Sequence, residues 1–197
     1  MMRTQTALEL QAAATPAVRA KTLLGRTLAR ARLLGVGALS PVDARELMRQ
    51  VVERVRSDAD AKNVDVVVHC SCGPVWVEPE AFSDALYELL DNAVRATRRG
   101  HPVMVDVRET ADGDVLWQVQ DAGAGMADVD LARLGQTTDQ AWPSGPGLGV
   151  ALAWTVVEEH HGLLRFETSP SVGTTASIWL PGARKREPTE PPVARKP

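Results

Sequence analysis

The chain has 197 residues, enough for one ordinary domain with modest extensions. Hydrophobic residues make up 44% and charged residues 24%, which excludes a disordered or fibrous protein, and a net charge of −3 excludes a global basic field, so nucleic acid is not an expected partner. No segment reaches the roughly 20 apolar residues of a membrane span, and the N-terminus lacks the apolar run of a secretion signal, so a cytoplasmic protein with no membrane partner is expected.

Residues 1–40 are rich in Ala, Leu and Arg, and Leu23, Leu24, Leu28 and Ala31 fall at helical spacing within 22–34. This extension reads either as a helix packed on its own domain or as a dimerisation or docking helix. A second helix is expected over 41–62, capped by Asp43, with Leu47, Val51, Val52 and Val55 as its apolar stripe. Strands are expected over 64–69 and 75–77. The long helix over 79–98 has Pro79 in its first turn and an apolar face of Phe82, Leu86, Leu89 and Ala93.

Strands over 103–109 and 115–120 turn at Ala111-Asp112-Gly113. Residues 122–149 hold six glycines and two prolines and read as a long loop of the functional kind. A helix over 150–160 and a hairpin over 163–168 and 174–180 close the domain. Beyond Pro181 the chain turns to Arg, Lys, Glu and Pro, a composition that builds no core. The expected organisation is a helical extension over 1–40, a domain over 41–181 and a disordered tail over 182–197. Cys70 and Cys72, beside His69, are too close for an ordinary disulfide and short of a four-ligand zinc set, so two reduced cysteines at a strand end are expected.

Three segments carry chemistry. Glu88 and Asn92 share a helix face, where a carboxylate and a carboxamide offer oxygens to a hard cation such as Mg²⁺. Arg95 and Arg99 follow on roughly the same side, in reach of phosphate oxygens. Asp121-Ala-Gly123-Ala-Gly125-Met126 comes directly after a strand, and its glycines allow the backbone to approach a ligand. Gly145-Pro-Gly147-Leu148-Gly149 opens a helix, where free N–H groups and the positive dipole end suit phosphate. Each of these taken alone also fits a solvated helix face or an ordinary turn.

The order Glu-x-x-x-Asn, Asp-x-Gly-x-Gly-Met, Gly-x-Gly-Leu-Gly resembles the ATPase superfamily that joins DNA gyrase, a heat-shock chaperone, a mismatch-repair ATPase and histidine kinases. The ending His161-Gly162, then Ser169-Pro-Ser-Val-Gly173-Thr-Thr, then Leu180-Pro181 resembles its histidine-kinase branch. The resemblance covers residues 41–181. It implies an α/β two-layer sandwich of the Bergerat type: a mixed, largely antiparallel sheet with about three helices on one face.

The resemblance also implies roles. Asn92 would hold Mg²⁺ with Glu88, and Glu88 would act either on water or in support of the metal and acceptor. Arg95 would meet phosphate. Asp121 would accept the adenine amine, with Gly123, Gly125 and Met126 under the base. Gly145, Gly147, Leu148 and Gly149 would close on the phosphates, and Thr174 would back the adenine. The implied ligands are ATP and Mg²⁺, and the implied partner is a signalling protein, either a response regulator or another phosphoacceptor. A homodimer through the N-terminal helix is one of the readings open for that extension.

The chain departs from the branch in three ways. Residues 1–68 contain no histidine that could serve as phosphoacceptor, and the N-terminal region is short for a two-helix dimerisation hairpin. The lid carries Leu131-Ala-Arg-Leu134 in place of a Phe-containing box, and Asp139 stands where Lys is common. His160 and His161 read as cations closing a helix. The expected function is a histidine-kinase-like phosphotransferase with its acceptor on another protein. The alternatives are a nucleotide-gated binding module without catalysis and a serine kinase of the anti-sigma type.

Overall fold

The computed structural model describes residues 38–126 and 148–182. The expected helix over 22–34, the Leu131–Asp139 departures, Gly145 and Gly147, and the tail from 183 onward lie outside the described residues.

Asp43 opens the first helix, α1 (Ala44–Lys62): its carboxylate accepts the N–H groups of Arg45 and Glu46 at 2.8 and 3.0 Å. The helix was expected to begin at Pro41. Instead Ser40–Val42 is a strand, β1, paired antiparallel with β3 (Val75–Val77), Pro41 lying opposite Trp76. A two-stranded ribbon tolerates the proline because it needs few ladder N–H groups. β2 (Val66–Ser71) runs two residues later than expected, because Asn63 ends α1 in the left-handed conformation and Val64 N–H still bonds Ala59 O.

α2 (Pro79–Ala96) has Glu78 as its cap, the carboxylate accepting the N–H groups of Glu80 and Ala81 at 3.2 and 2.6 Å. Two strands follow, β4 (Val103–Glu109) and β5 (Val115–Gln120), joined by a tight turn in which Gly113 has φ 78°. α3 (Leu148–Glu159) leads into the closing hairpin of β6 (Leu163–Ser169) and β7 (Gly173–Leu180). α3 starts two residues before the expected position.

The main sheet has the order β2-β4-β5-β7-β6, with β2 and β4 parallel and every other pair antiparallel. A parallel pair needs a crossover, and α2 supplies it. Val105, Val107, Trp117, Val119 and Ile178 point from the sheet to the helices and are buried. Phe82 of α2 meets Trp117 edge-on, with centroids 5.3 Å apart. The opposite face mixes apolar Met104, Leu116 and Trp179 with polar pairs: Arg108 bonds Gln118 Oε1 at 3.0 Å, and Gln118 bonds Ser177 Oγ at 3.1 Å. The described part is therefore the expected α/β sandwich, a mixed, mostly antiparallel sheet with helices on one face.

α1 is keyed to α2 along one seam. Arg54 reaches Asp84 at 2.9 Å and lies over the Tyr87 ring, 4.2 Å from its centroid. Lys62 donates to the Val94 carbonyl at 3.1 Å and to the Arg95 carbonyl, closing the C-terminus of α2.

One expectation is corrected here. His160 does not stand as a cation at the end of α3. It is 1% exposed, its Nε2 accepts the Glu78 N–H, and its Nδ1 lies 2.7 Å from Val156 O. Nε2 therefore carries no proton, and the ring is neutral. His161, next in sequence, is exposed with φ 58°.

Candidate functional site

α2 carries the first group. Its apolar residues Phe82, Leu86, Leu89 and Ala93 are buried, which turns Glu88 and Asn92 to a half-buried polar face. Burial, and next the Asp91 carboxylate, raise the proton affinity of Glu88, while Arg95 opposes them. The first turn of α3 lies directly against this carboxylate. A Cβ on Gly149 would overlap Glu88 Oε2 and come within 2.8 Å of its Cδ, so only glycine fits there with Glu88 in place. Leu148 is the first residue of α3.

Arg95 is exposed on the last turn of α2. Its Nη2 pairs with Asp91 Oδ2 at 2.6 Å, one turn back along the helix. Asp91 is 3% exposed, and its Oδ1 has no hydrogen-bond partner among the described residues. Burial raises its proton affinity, with Arg95 opposing and Asp58 reinforcing. Arg99 is exposed beyond the helix end.

The second group gathers around Asp121, at the end of β5. The strand pairing brings Thr174 alongside, and Asp121 N–H bonds Thr174 O at 2.9 Å. Asp121 is 8% exposed. Its Oδ1 accepts two backbone N–H groups, from Gly123 at 2.8 Å and Thr174 at 3.1 Å. Burial raises its proton affinity, and the bonds from Gly123 and Thr174 hold the rise back. Gly125 has φ 67°, and a Cβ there would overlap Ser169 O. Met126 N–H donates to Thr168 Oγ1 at 2.9 Å, and Thr168 Oγ1 lies 3.0 Å from Thr174 Oγ1.

Three residues that sequence reasoning did not single out hold this loop. Thr97, fully buried at the C-cap of α2, accepts the Ala122 N–H at 3.3 Å. Arg98 donates to Ser171 O at 3.1 Å, and Ser171 N–H bonds Ala124 O at 2.6 Å. Thr168 stands opposite Thr174 in the β6–β7 register. The available signal was a threonine directly after an amphipathic helix and a Thr pair across a closing hairpin.

The chemistry follows from the arrangement. A nearly buried carboxylate held by backbone donors on one oxygen suits a ligand amine on the other. A half-buried carboxylate beside a second one suits a cation. Glu88 and Gly149 are brought together, as are Asp121, Gly123 and Thr174. α2 links the two groups, with Glu88 and Asn92 at mid-helix and Thr97 at its end.

Residues 77–184 match the family described as histidine kinase-, DNA gyrase B- and HSP90-like ATPase. Sporulation kinase E of Bacillus subtilis is 26% identical over 144 residues, 72% of this chain and 20% of that protein. The sensor histidine kinase ZraS of Klebsiella oxytoca is 29% identical, over 74% of this chain and 32% of its own length. The non-motile and phage-resistance protein of Caulobacter vibrioides is 32% identical, over 69% and 17%. The matched part is thus at most about a third of each of these relatives.

Among solved structures, full-length ShkA in complex with AMPPNP superposes with a TM-score of 0.67 and 25% identity, covering 83% of this chain and 36% of that one. The mycobacterial sensor histidine kinase MprB gives 0.66 and 27%, covering 74% and 98%. No described helix is long and apolar enough to cross a membrane. The chain therefore belongs to the histidine kinase-, DNA gyrase B- and HSP90-like ATPase family and carries an ATP-binding domain of the histidine-kinase type.

Proposed function

We propose that this chain is the catalytic part of a cytoplasmic, histidine-kinase-type phosphotransferase that passes phosphate from ATP to an acceptor on a partner protein. The observation that carries the reading is the Asp121 seat: a nearly buried carboxylate whose Oδ1 is engaged by Gly123 and Thr174 N–H. Oδ2 accepts the exocyclic amine of adenine, while Gly123, Gly125 and Met126 form the floor and Thr174 backs the base.

The residues present fit Mg²⁺. Glu88 and Asn92 offer oxygens on one face, and burial together with the neighbouring Asp91 carboxylate raises the proton affinity of Glu88, a setting that a cation would relieve. Mg²⁺ held by these two residues would neutralise charge on the phosphates. Gly145, Gly147 and Gly149, with Leu148, approach the phosphates from the start of α3. Arg95 meets phosphate by exchanging its bond to Asp91.

Residues 1–68 hold no histidine, which supports an acceptor outside these 197 residues, on a response regulator or another phosphoacceptor protein. Residues 1–40 serve as a docking or homodimerising helix beside the domain over 41–181, 182–197 are its tail, and Lys185–Pro197 is dispensable for nucleotide binding.

The test is Asp121→Asn. It keeps the oxygen that accepts Gly123 and Thr174 and removes the charge that receives the adenine amine. A hydrogen bond to a charged group contributes about 1.5–3 kcal/mol, a loss of roughly 10- to 150-fold in ATP affinity. GTP, with a carbonyl at that edge, is disfavoured by the wild-type chain by a similar factor. An Asn variant with an unchanged circular dichroism spectrum and unchanged ATP affinity overturns the assignment.

A further inference from the structure

The Cys70–Cys72 pair takes no part in the nucleotide site. Strand alternation sends Cys70 to the helix side of the sheet with Val66 and Val68, while His69 faces the other side, opposite Asp106. Cys72, just past the strand end, packs on the same core. Both thiols are free and half-buried, with their sulfurs 3.9 Å apart.

That separation is informative. At metal–sulfur bonds of about 2.3 Å, two sulfurs 3.9 Å apart subtend about 116° at a shared ion, close to the trigonal angle. An ion can bridge them with little backbone movement. Burial first, then Cys70 and the carboxylates of Asp43 and Glu109, push the Cys72 thiol up to about 12, so the proton stays until a cation displaces it, and the same carboxylate field favours that cation. The nearby Arg45 guanidinium bonds the Cys70 carbonyl at 2.7 Å, pinning the strand end to α1. Among the described residues no group of three or more His, Cys, Asp or Glu assembles, so a closed tetrahedral zinc cage is not formed. Two thiolates without a third ligand residue among the described residues suit a soft cation of low coordination number.

We propose that Cys70 and Cys72 form a chelating site for a soft, thiophilic cation, of which Cu(I) is the type. On binding, two S–H bonds break and two S–Cu bonds form, and both protons leave to solvent. The metal keeps its oxidation state. The site is independent of nucleotide, because neither sulfur belongs to the Asp121 or Glu88 groups.

The experiment withdraws Cu(I) from its bicinchoninate complex with the reduced full chain, alongside Cys70→Ser, Cys72→Ser and the double variant. The expected result is one Cu(I) per wild-type chain, with each single variant about 10²- to 10⁴-fold weaker, since the second sulfur acts intramolecularly. ATP affinity stays unchanged in all four proteins. Equal Cu(I) affinity in wild type and the folded double variant overturns the proposal, as does a single variant that binds like wild type. The unmutated chain provides a check free of folding effects. Phenylarsine oxide, which needs two adjacent thiols, removes both titratable thiols at one equivalent if the pair chelates. An undiminished thiol titre overturns the proposal.

Discussion

The Nε2 of His160 accepts the backbone N–H of Glu78 at 2.9 Å, joining the last turn of α3 to the N-cap of α2. The same ring packs 5.5 Å from Phe82, so the bond is sealed inside the core. His160→Phe keeps the ring volume and strands the Glu78 N–H. A buried donor left without a partner costs about 1–3 kcal/mol, to be read from urea unfolding. His160→Gln, which can accept the same N–H, recovers part of the loss. A Phe variant as stable as wild type removes the bond from any structural role.

Glu88, Asp91 and Asp121 all have proton affinities raised by burial above the ordinary 4.5, 3.8 and 3.8. The folded chain therefore holds these protons more tightly than the unfolded chain. The stability they contribute is full below the ordinary values and is lost as pH rises through the raised ones. Asp91→Asn removes one titrating site, so the difference in unfolding free energy between variant and wild type grows as pH rises through that window. A difference that stays flat with pH rejects the raised proton affinity. For the nucleotide the direction reverses. Protonation of Asp121 removes the charged acceptor, so the ratio of ATP affinities, wild type over Asp121→Asn, falls as pH drops through the raised value. Taking the ratio cancels the titration of ATP itself.

Gly149→Ala sets a methyl group against Glu88. The carboxylate must swing away, so phosphate transfer or hydrolysis falls by a larger factor than ATP affinity, whose adenine anchor at Asp121 is untouched. Combined with Glu88→Ala the effect is non-additive, with a coupling on the order of 0.5–3 kcal/mol in a double-mutant cycle on the rate. Additive losses mean that the first turn of α3 acts on the site through something other than Glu88.

His161 holds φ 58° at an exposed position where glycine is at ease. A left-handed residue with a Cβ costs roughly 1–2 kcal/mol, and glycine gives back part of that gain through the unfolded state. His161→Gly is therefore expected to stabilise the domain by about 0.5–1 kcal/mol in thermal or urea unfolding. A destabilised variant shows that the ring makes a contact worth more than the backbone strain.

The elements legible in the sequence were those set by near neighbours. The Asp43 cap, the apolar stripe of α2, the Gly113 turn and the alternation of β4 and β5 all depend on residues a few positions apart. The Asp121–Gly123 bond spans two residues and was approached through the glycine pattern. What escaped was long-range. β1 exists because Ser40–Val42 meets Val75–Val77, and nothing around Pro41 announces that partner. His160 finds its donor 82 residues away, so its local setting at a helix end suggested a charge it does not carry. Thr97 and Thr168 have local settings that do not name their partners, which lie 25 and 42 positions away in the Asp121 loop.

β2 and β4 are hydrogen-bonded to each other along six residue pairs, and α2 lies between them in the chain. A helix anchored this way behaves as a beam fixed at both ends. Both of its ends lead into strands that are bonded to each other, which limits how far it can shift along the sheet. Glu88 and Asn92 ride on that beam, so the two strands that flank α2 in the chain set where their side chains stand.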